Sequence, residues 1–167
     1  MEKYRTSLIL QCLIFLIPLN IYMWGDWLLV NVQWALFRFQ QSELGNSLIL
    51  GNKDLLYIYF GQSTGIFNIA SAYLWAIGTI ILVIGLIITI YAYIEEKSSV
   101  LKKASFFTIG GGIILALSAA CRFQGGFSIP IGVPVILIIG WWIYHENRYE
   151  EEDETEPGND LDQVSDS

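Results

Sequence analysis

Residues 71–94 read SAYLWAIGTIILVIGLIITIYAYI, and this stretch decides the fold. It lies inside a longer run, between Asp54 and Glu95, that contains no Asp, Glu, Lys or Arg. The hydrocarbon core of a bilayer is about 30 Å thick, which an α-helix of roughly 20 apolar residues can cross. The stretch therefore predicts a transmembrane helix.

Three further segments have a similar length and are bounded by charged residues. They cover 7–24, 104–121 and 126–144. Together with 71–94 they predict an all-α membrane fold with four transmembrane helices in a domain over residues 1–145. Residues 25–70 would then form a small extracytoplasmic cap.

The composition of the whole chain agrees with this class. Of its 167 residues, 54% are hydrophobic and 15% charged, with a mean hydropathy of +0.50. A soluble domain is about 45–50% apolar and about 25% charged, so a soluble enzyme is disfavoured. The net charge of −7 disfavours nucleic acid as a partner, because a phosphate backbone attracts basic surfaces. The expected partners are the lipid bilayer, other membrane proteins or a second copy of the chain.

The distribution of Lys and Arg predicts the orientation. With both termini in the cytoplasm, six basic residues lie inside and three outside, as the positive-inside rule requires. The inner residues are Lys3, Arg5, Lys97, Lys102, Lys103 and Arg148, and the outer ones are Arg38, Lys53 and Arg122.

The predicted cap is not a plain polar loop. Apolar and polar residues alternate over 30–36, which favours a strand, although Leu29, Val32 and Leu36 also suit one face of a helix. Segments 47–50 and 55–60 flank the turn-forming sequence Gly-Asn-Lys-Asp and predict a hairpin, with an amphipathic helix over 55–60 as the alternative.

Residues 146–167 differ from the rest of the chain. Ten of them are acidic and one is Arg. Like charges with few apolar side chains cannot form a packed core, so this cytoplasmic tail is predicted to be disordered.

The predicted spans contain few groups that could carry out chemistry. Gln11 and Asn20 are expected to form hydrogen bonds between helices. His145 is the single histidine, and the spacing of a zinc site is absent from the sequence. We therefore predict no catalytic residues, no cofactor and no metal site.

Small residues in the spans predict where helices pack closely. Gly78 and Gly85 are seven residues apart on the second span, and Gly112, Ala116 and Ala120 repeat every four residues on the third. Lipid tails provide no hydrophobic drive for helices to associate, so close backbone approach must supply the contact.

Residues 55–144, and above all the stretch SIPIGVPVILIIGWWIY over 128–144, resemble small uncharacterised archaeal membrane proteins of the multi-pass class. The shared features are a Pro-Gly start and a Trp-Trp end of the last span. The resemblance implies an archaeal cell membrane as the setting, and no function transfers from it.

The sequence thus predicts a non-enzymatic structural or accessory subunit that binds other membrane proteins. A small oligomeric channel or transporter is the second hypothesis. A membrane enzyme acting at the cap through Arg38, Glu43, Lys53 or Asp54 is the third.

Overall fold

The computed structural model describes residues 2–24, 29–43, 45–60, 65–123 and 126–155. These residues form five helices and one antiparallel sheet of five strands. The elements in chain order are α1 (Glu2–Leu16), β1 (Asn20–Trp24), β2 (Leu29–Gln33), β3 (Phe37–Ser42), β4 (Gly45–Leu50), α2 (Gly51–Tyr59), α3 (Ile66–Glu95), α4 (Ser98–Phe123), β5 (Phe127–Ile129) and α5 (Gly132–Thr155).

The centre of the fold is the antiparallel hairpin of α3 and α4. Among the described residues, these are the two helices long and apolar enough to cross a membrane. In the apolar 18-residue stretch of each helix, only 33% is buried inside the protein in α3 and 44% in α4. The core helix of a soluble protein would be mostly buried, so these two helices leave much apolar surface exposed.

The predicted all-α fold with four transmembrane helices is wrong at both ends of the chain. Within 7–24, helix α1 ends at Leu16 and strand β1 begins at Asn20. Pro18 separates them, and it cannot donate the backbone hydrogen bond that a continuing helix needs. The helix of 15 residues is about 22 Å long, less than the thickness of the hydrocarbon core.

Within 126–144 the first part is likewise extended. Strand β5 covers Phe127–Ile129, and α5 begins only at Gly132. Strand β1 pairs with both β2 and β5, and the sheet order is β4-β3-β2-β1-β5. Strands from the two predicted spans 7–24 and 126–144 therefore meet in the sheet, where strand pairing satisfies their backbone groups.

The predicted cap combines one confirmed and one wrong assignment. The strand expected from alternation is present as β2. The hairpin of 47–50 with 55–60 is wrong, because the second segment is the helix α2, the alternative that the sequence left open. The backbone N–H of Gly51 donates to Leu36 O, and Asp54 is the buried residue of the helix.

The turn between β2 and β3 fixes the sheet to the helices. Ala35 is fully buried, and its carbonyl accepts a hydrogen bond of 2.9 Å from Thr79 Oγ1 in α3. Trp75 Nε1 donates to the carbonyl of Trp34, while Trp34 Nε1 donates to that of Leu16. These bonds hold the turn between β2 and β3 against the first half of α3 and the end of α1.

The predicted packing residues lie in different environments. A Cβ at Gly78 would come 2.9 Å from Leu115, and one at Gly112 would come 3.0 Å from Leu137 in α5. Ala116 is half-buried, and Ala120 is exposed.

Gly85 lies against Gln11, since a Cβ at Gly85 would lie 3.1 Å from Gln11 Nε2. Gln11 Oε1 is 3.0 Å from Thr108 Oγ1, which confirms the interhelical hydrogen bond predicted for Gln11.

Two remaining predictions concern Asn20 and the acidic tail. Asn20 lies in β1 rather than in a helix, and its Oδ1 accepts a hydrogen bond of 3.0 Å from Ser128 Oγ. Helix α5 continues to Thr155, so the first part of the segment predicted to be disordered is helical. Residues 156–167 lie outside the described residues.

Candidate functional site

The sheet has one polar and one apolar face. Side chains of directly paired residues point to the same face, and alternate residues of a strand point to opposite faces. The face toward the helices is polar. It carries residues joined by the pairs Asn20↔Gln33, Tyr22↔Asn31, Tyr22↔Ser128, Asn31↔Gln40 and Gln33↔Arg38.

A cavity of about 420 Å³ lies between this polar face, α2 and the adjoining ends of α3 and α4. Ligand sites in proteins commonly measure about 300–1,000 Å³. The walls combine polar side chains with an apolar part. The lining residues are Tyr22, Leu29, Asn31, Arg38, Gln40, Asp54, Tyr57, Ile58, Asn68, Ala72 and Arg122.

An ion pair between Arg38 of β3 and Asp54 of α2 forms one wall of the cavity. Arg38 Nε lies 2.9 Å from Asp54 Oδ2, and Nη2 lies 2.8 Å from Oδ1, so the contact is bidentate. The side chains are 13% and 10% exposed. Burial by itself would lower the pKa of Arg38, but Asp54, together with Tyr22, outweighs it and holds that pKa above its ordinary value.

Nη1 of Arg38 binds two further side chains, one on the neighbouring strand β2 and one on its own strand β3. Nη1 donates to Asn31 Oδ1 in β2 and, at 2.8 Å, to Gln40 Oε1 in β3. Both oxygens of Asp54 and the amide oxygens of Asn31 and Gln40 thus point at one guanidinium. Asp54 therefore serves as the counter-charge of Arg38, and both of its oxygens are occupied by that guanidinium.

Arg122, in the last turn of α4, forms another wall and is 8% exposed. Its Nε donates to Ser71 Oγ at 2.9 Å, and its Cζ lies 4.0 Å from the centre of the Tyr22 ring. Ser71 Oγ in turn donates to Ser118 O at 2.8 Å. Among the residues that the structure describes, no carboxylate lies within ion-pair distance of Arg122.

The opposite face of the sheet carries an apolar row that crosses all five strands. The register pairs Ile129 with Ile21, Ile21 with Val32, Val32 with Phe39, and Phe39 with Leu48. Leu48 is 61% and Ile129 43% exposed, and the three residues between them are half-buried. We call these five residues the apolar row.

The four residues named for a cap enzyme divide into two groups. Arg38 and Asp54 meet in the cavity, whereas Glu43 and Lys53 are exposed and do not line it. Sequence reasoning assigned no role at this site to Arg122, although a lone arginine between two long charge-free runs is an available signal.

No family model matches the chain, and neither a curated protein nor a solved structure matches it. The resemblance to small archaeal membrane proteins therefore stays a prediction. The function has to be argued from the cavity, the apolar row and the exposed helices alone.

Proposed function

We propose that the chain is a non-enzymatic accessory subunit of a cell membrane, anchored by α3 and α4 and binding another membrane protein through the apolar row. The archaeal setting implied by the resemblance is part of this proposal. The observation that carries the accessory role is the apolar row, and the exposed surface of α3 supports the anchoring.

Helix α3 has the residue distribution of a helix surrounded by lipid. Ile80, Ile87 and Ile94 are 58%, 59% and 69% exposed. Its buried positions include the small residues Gly78 and Gly85. Large aliphatic side chains outside and small residues inside are expected where lipid is the solvent and helices pack through close backbone contact. Water would disfavour so large an apolar surface.

The ends of this hairpin differ in charge. Lys97 lies in the turn between α3 and α4, and Lys102 and Lys103 lie in the first two turns of α4. The start of α1 lies at the same end, because Tyr4 Oη donates to Glu96 O at 2.6 Å. The positive-inside rule favours this end for the cytoplasm and the sheet for the outer side.

The apolar row fits a partner that is itself in the membrane. A row of aliphatic and aromatic side chains on one sheet face normally packs against another element. The row begins at Ile129 and Ile21. These residues are close in sequence to Leu16, the last residue of α1, and to Ile131, which precedes α5, and these two side chains are 73% and 44% exposed. A partner on the row would therefore also reach the lipid-facing surface.

The two other hypotheses have less support. Several buried polar side chains of the helices pair with one another or with backbone carbonyls of the same chain, as Ser71 with Ser118 and Thr89 with Gly85 O. A small oligomeric channel or transporter would need polar side chains that face a path between copies, and these side chains are bound within one chain. A cap enzyme would need a group free to exchange protons, and Asp54 is held by Arg38.

Membrane anchoring is tested with single cysteines in a variant without Cys12 and Cys121. A cysteine at Asn52 in α2 should react with an impermeant maleimide on intact cells, whereas one at Lys97 should react only after lysis. Both positions are exposed, so reactivity reports the side of the membrane. Release of the protein by alkaline carbonate, or labelling of position 97 from outside, contradicts the proposal.

The accessory role is tested by photo-crosslinking in native membranes. A photoreactive residue at Leu48, in the apolar row, should yield a defined adduct with an integral membrane protein. The same residue at Lys53, which is exposed on α2 and away from the row, is the control. Equal adducts from both positions, or none from Leu48, would refute binding through the apolar row.

A further inference from the structure

The Arg122 cavity is the volume of about 420 Å³ defined above. We propose that it binds the phosphodiester of an anionic membrane lipid, with Arg122 as the main charge contact. This inference takes the membrane position of the sheet from the proposed function but does not depend on the apolar row or on a protein partner.

The first argument is the charge of the cavity. Arg38 and Asp54 neutralise each other at 2.8 Å, so among the described residues of the cavity the positive charge of Arg122 is left without a counter-charge. Within the described part of the chain, the partners of Arg122 are a hydroxyl and an aromatic ring, and both are neutral. Removing an ion from water without a counter-charge is costly, and a bound anion would offset this cost.

The second argument is the number of hydrogen-bond donors that face the cavity. A guanidinium has five N–H groups, and only Nε of Arg122 has an acceptor among the described residues. Asn31 also lines the cavity, is 1% exposed, and its Nδ2 has no hydrogen-bond partner in the described part of the chain. An anion with two accessible oxygens would satisfy both side chains.

The third argument is the shape of the cavity. Leu29, Tyr57 and Ile58 give it an apolar wall beside the polar one. The volume of the cavity is in the range of sites that hold organic ligands and is larger than a small inorganic ion needs. A phosphodiester with carbon on both sides matches this division better than a free ion does.

The position along the helix favours a lipid as the source. Helix α4 has 26 residues and is about 39 Å long, so its last turn extends beyond a hydrocarbon core of about 30 Å. Arg122 is in that last turn and therefore lies at the level of the headgroups. One excess positive charge also matches the single negative charge of a phosphodiester.

The experiment measures the binding of three probes to the full chain in a neutral detergent. Dioctanoyl phosphatidylglycerol carries the anion and the chains, dioctanoylglycerol lacks the phosphate, and glycerophosphoglycerol lacks the chains. We expect saturable binding of one phosphatidylglycerol per protein, at least tenfold tighter than binding of either other probe. Equal binding of glycerophosphoglycerol would overturn the lipid source, and equal binding of dioctanoylglycerol would overturn the phosphodiester.

The variants separate this site from general charge effects. Arg122→Gln and Asn31→Asp should each weaken phosphatidylglycerol binding at least tenfold. The second variant keeps the shape of the side chain and the acceptor for Arg38, so it covers the case in which Arg122→Gln fails to fold. The control Arg5→Gln makes the same charge change as Arg122→Gln on an exposed residue of α1 and should bind normally.

Unchanged binding by Asn31→Asp, or by a folded Arg122→Gln, would overturn the proposal. These measurements are made in detergent and so do not depend on topology. If carbonate releases the protein while phosphatidylglycerol still binds, the proposed anchoring fails and this site stands. If anchoring holds and the three probes bind alike, only this site fails.

Discussion

Gly78 and Gly111 face each other where α3 and α4 cross. A Cβ on Gly78 would lie 3.3 Å from Gly111 O, and a Cβ on Gly111 would lie 3.2 Å from Gly78 O and 2.8 Å from the Leu82 side chain. The two backbones can approach so closely only because neither residue has a side chain. Gly111 is thus the counterpart of Gly78, whereas Gly112, which the sequence singled out, contacts α5.

The first prediction concerns this crossing. Gly111→Ala should lower the free energy of unfolding by about 1–3 kcal/mol, because the added methyl group forces the helices apart. Gly110→Ala is the matched control, since a Cβ at Gly110 meets no atom within 4 Å. It should be neutral or stabilising by up to about 1 kcal/mol, the gain expected from helix propensity. Unfolding in matched detergent measures the stability of both variants. Equal stabilities would contradict the close approach of the two backbones at Gly78 and Gly111.

The second prediction concerns the ion pair of Arg38 and Asp54. Asp54→Asn keeps the shape but leaves the buried guanidinium without its counter-charge, which should cost about 3–5 kcal/mol. Replacing both residues, as in Arg38→Met with Asp54→Leu, should recover much of the loss. Lys53→Gln changes an exposed neighbouring charge and should have an effect within about 0.5 kcal/mol. Thermal unfolding compares the variants, and an unaffected Asp54→Asn would disprove the role of the pair.

The third prediction concerns the end of α3. Glu96 has a φ of 52° and is the one non-glycine residue with positive φ in the described part of the chain. Glu96→Gly should stabilise the protein by about 1 kcal/mol, because glycine adopts this conformation without steric cost. The hydrogen bond from Tyr4 goes to the backbone carbonyl and is retained. Glu95→Gly lies within the helix and should destabilise by a similar amount. If both variants shift unfolding in the same direction, the strain is absent.

The fourth prediction concerns the end of α5. Removing 150–167 should leave the thermal unfolding midpoint unchanged, because the buried side chains described in α5 end at Asn147, which is 1% exposed. Removing 144–167 should lower the midpoint. It deletes Asn147 and the contact of Tyr144 with Phe106, whose ring centres lie 5.5 Å apart. A lower midpoint after removal of 150–167 would show that the acidic segment itself stabilises the fold, and an unchanged midpoint after removal of 144–167 would contradict the role of Asn147 and Tyr144.

The sequence by itself determined the local features of this protein. The charge-free run around residues 71–94 predicted α3, and the apolar segment 104–121 predicted most of α4. Alternation predicted β2, and the polar residue Gln11 was correctly expected to bond between helices. These features depend on side-chain periodicity and composition within a short window, which a sequence displays directly.

Only the tertiary structure decided the sheet and the cavity. Strands β1 and β5 lie within apolar segments that are indistinguishable by composition from helical spans, and they become strands because each supplies the other's backbone partners, as at Ile21 and Ile129. Arg122 meets Ser71, 51 residues away, and Tyr22 only after this pairing and the α3–α4 hairpin are in place. Local pattern cannot specify contacts between such distant residues, because their energy depends on which segments the whole chain brings together.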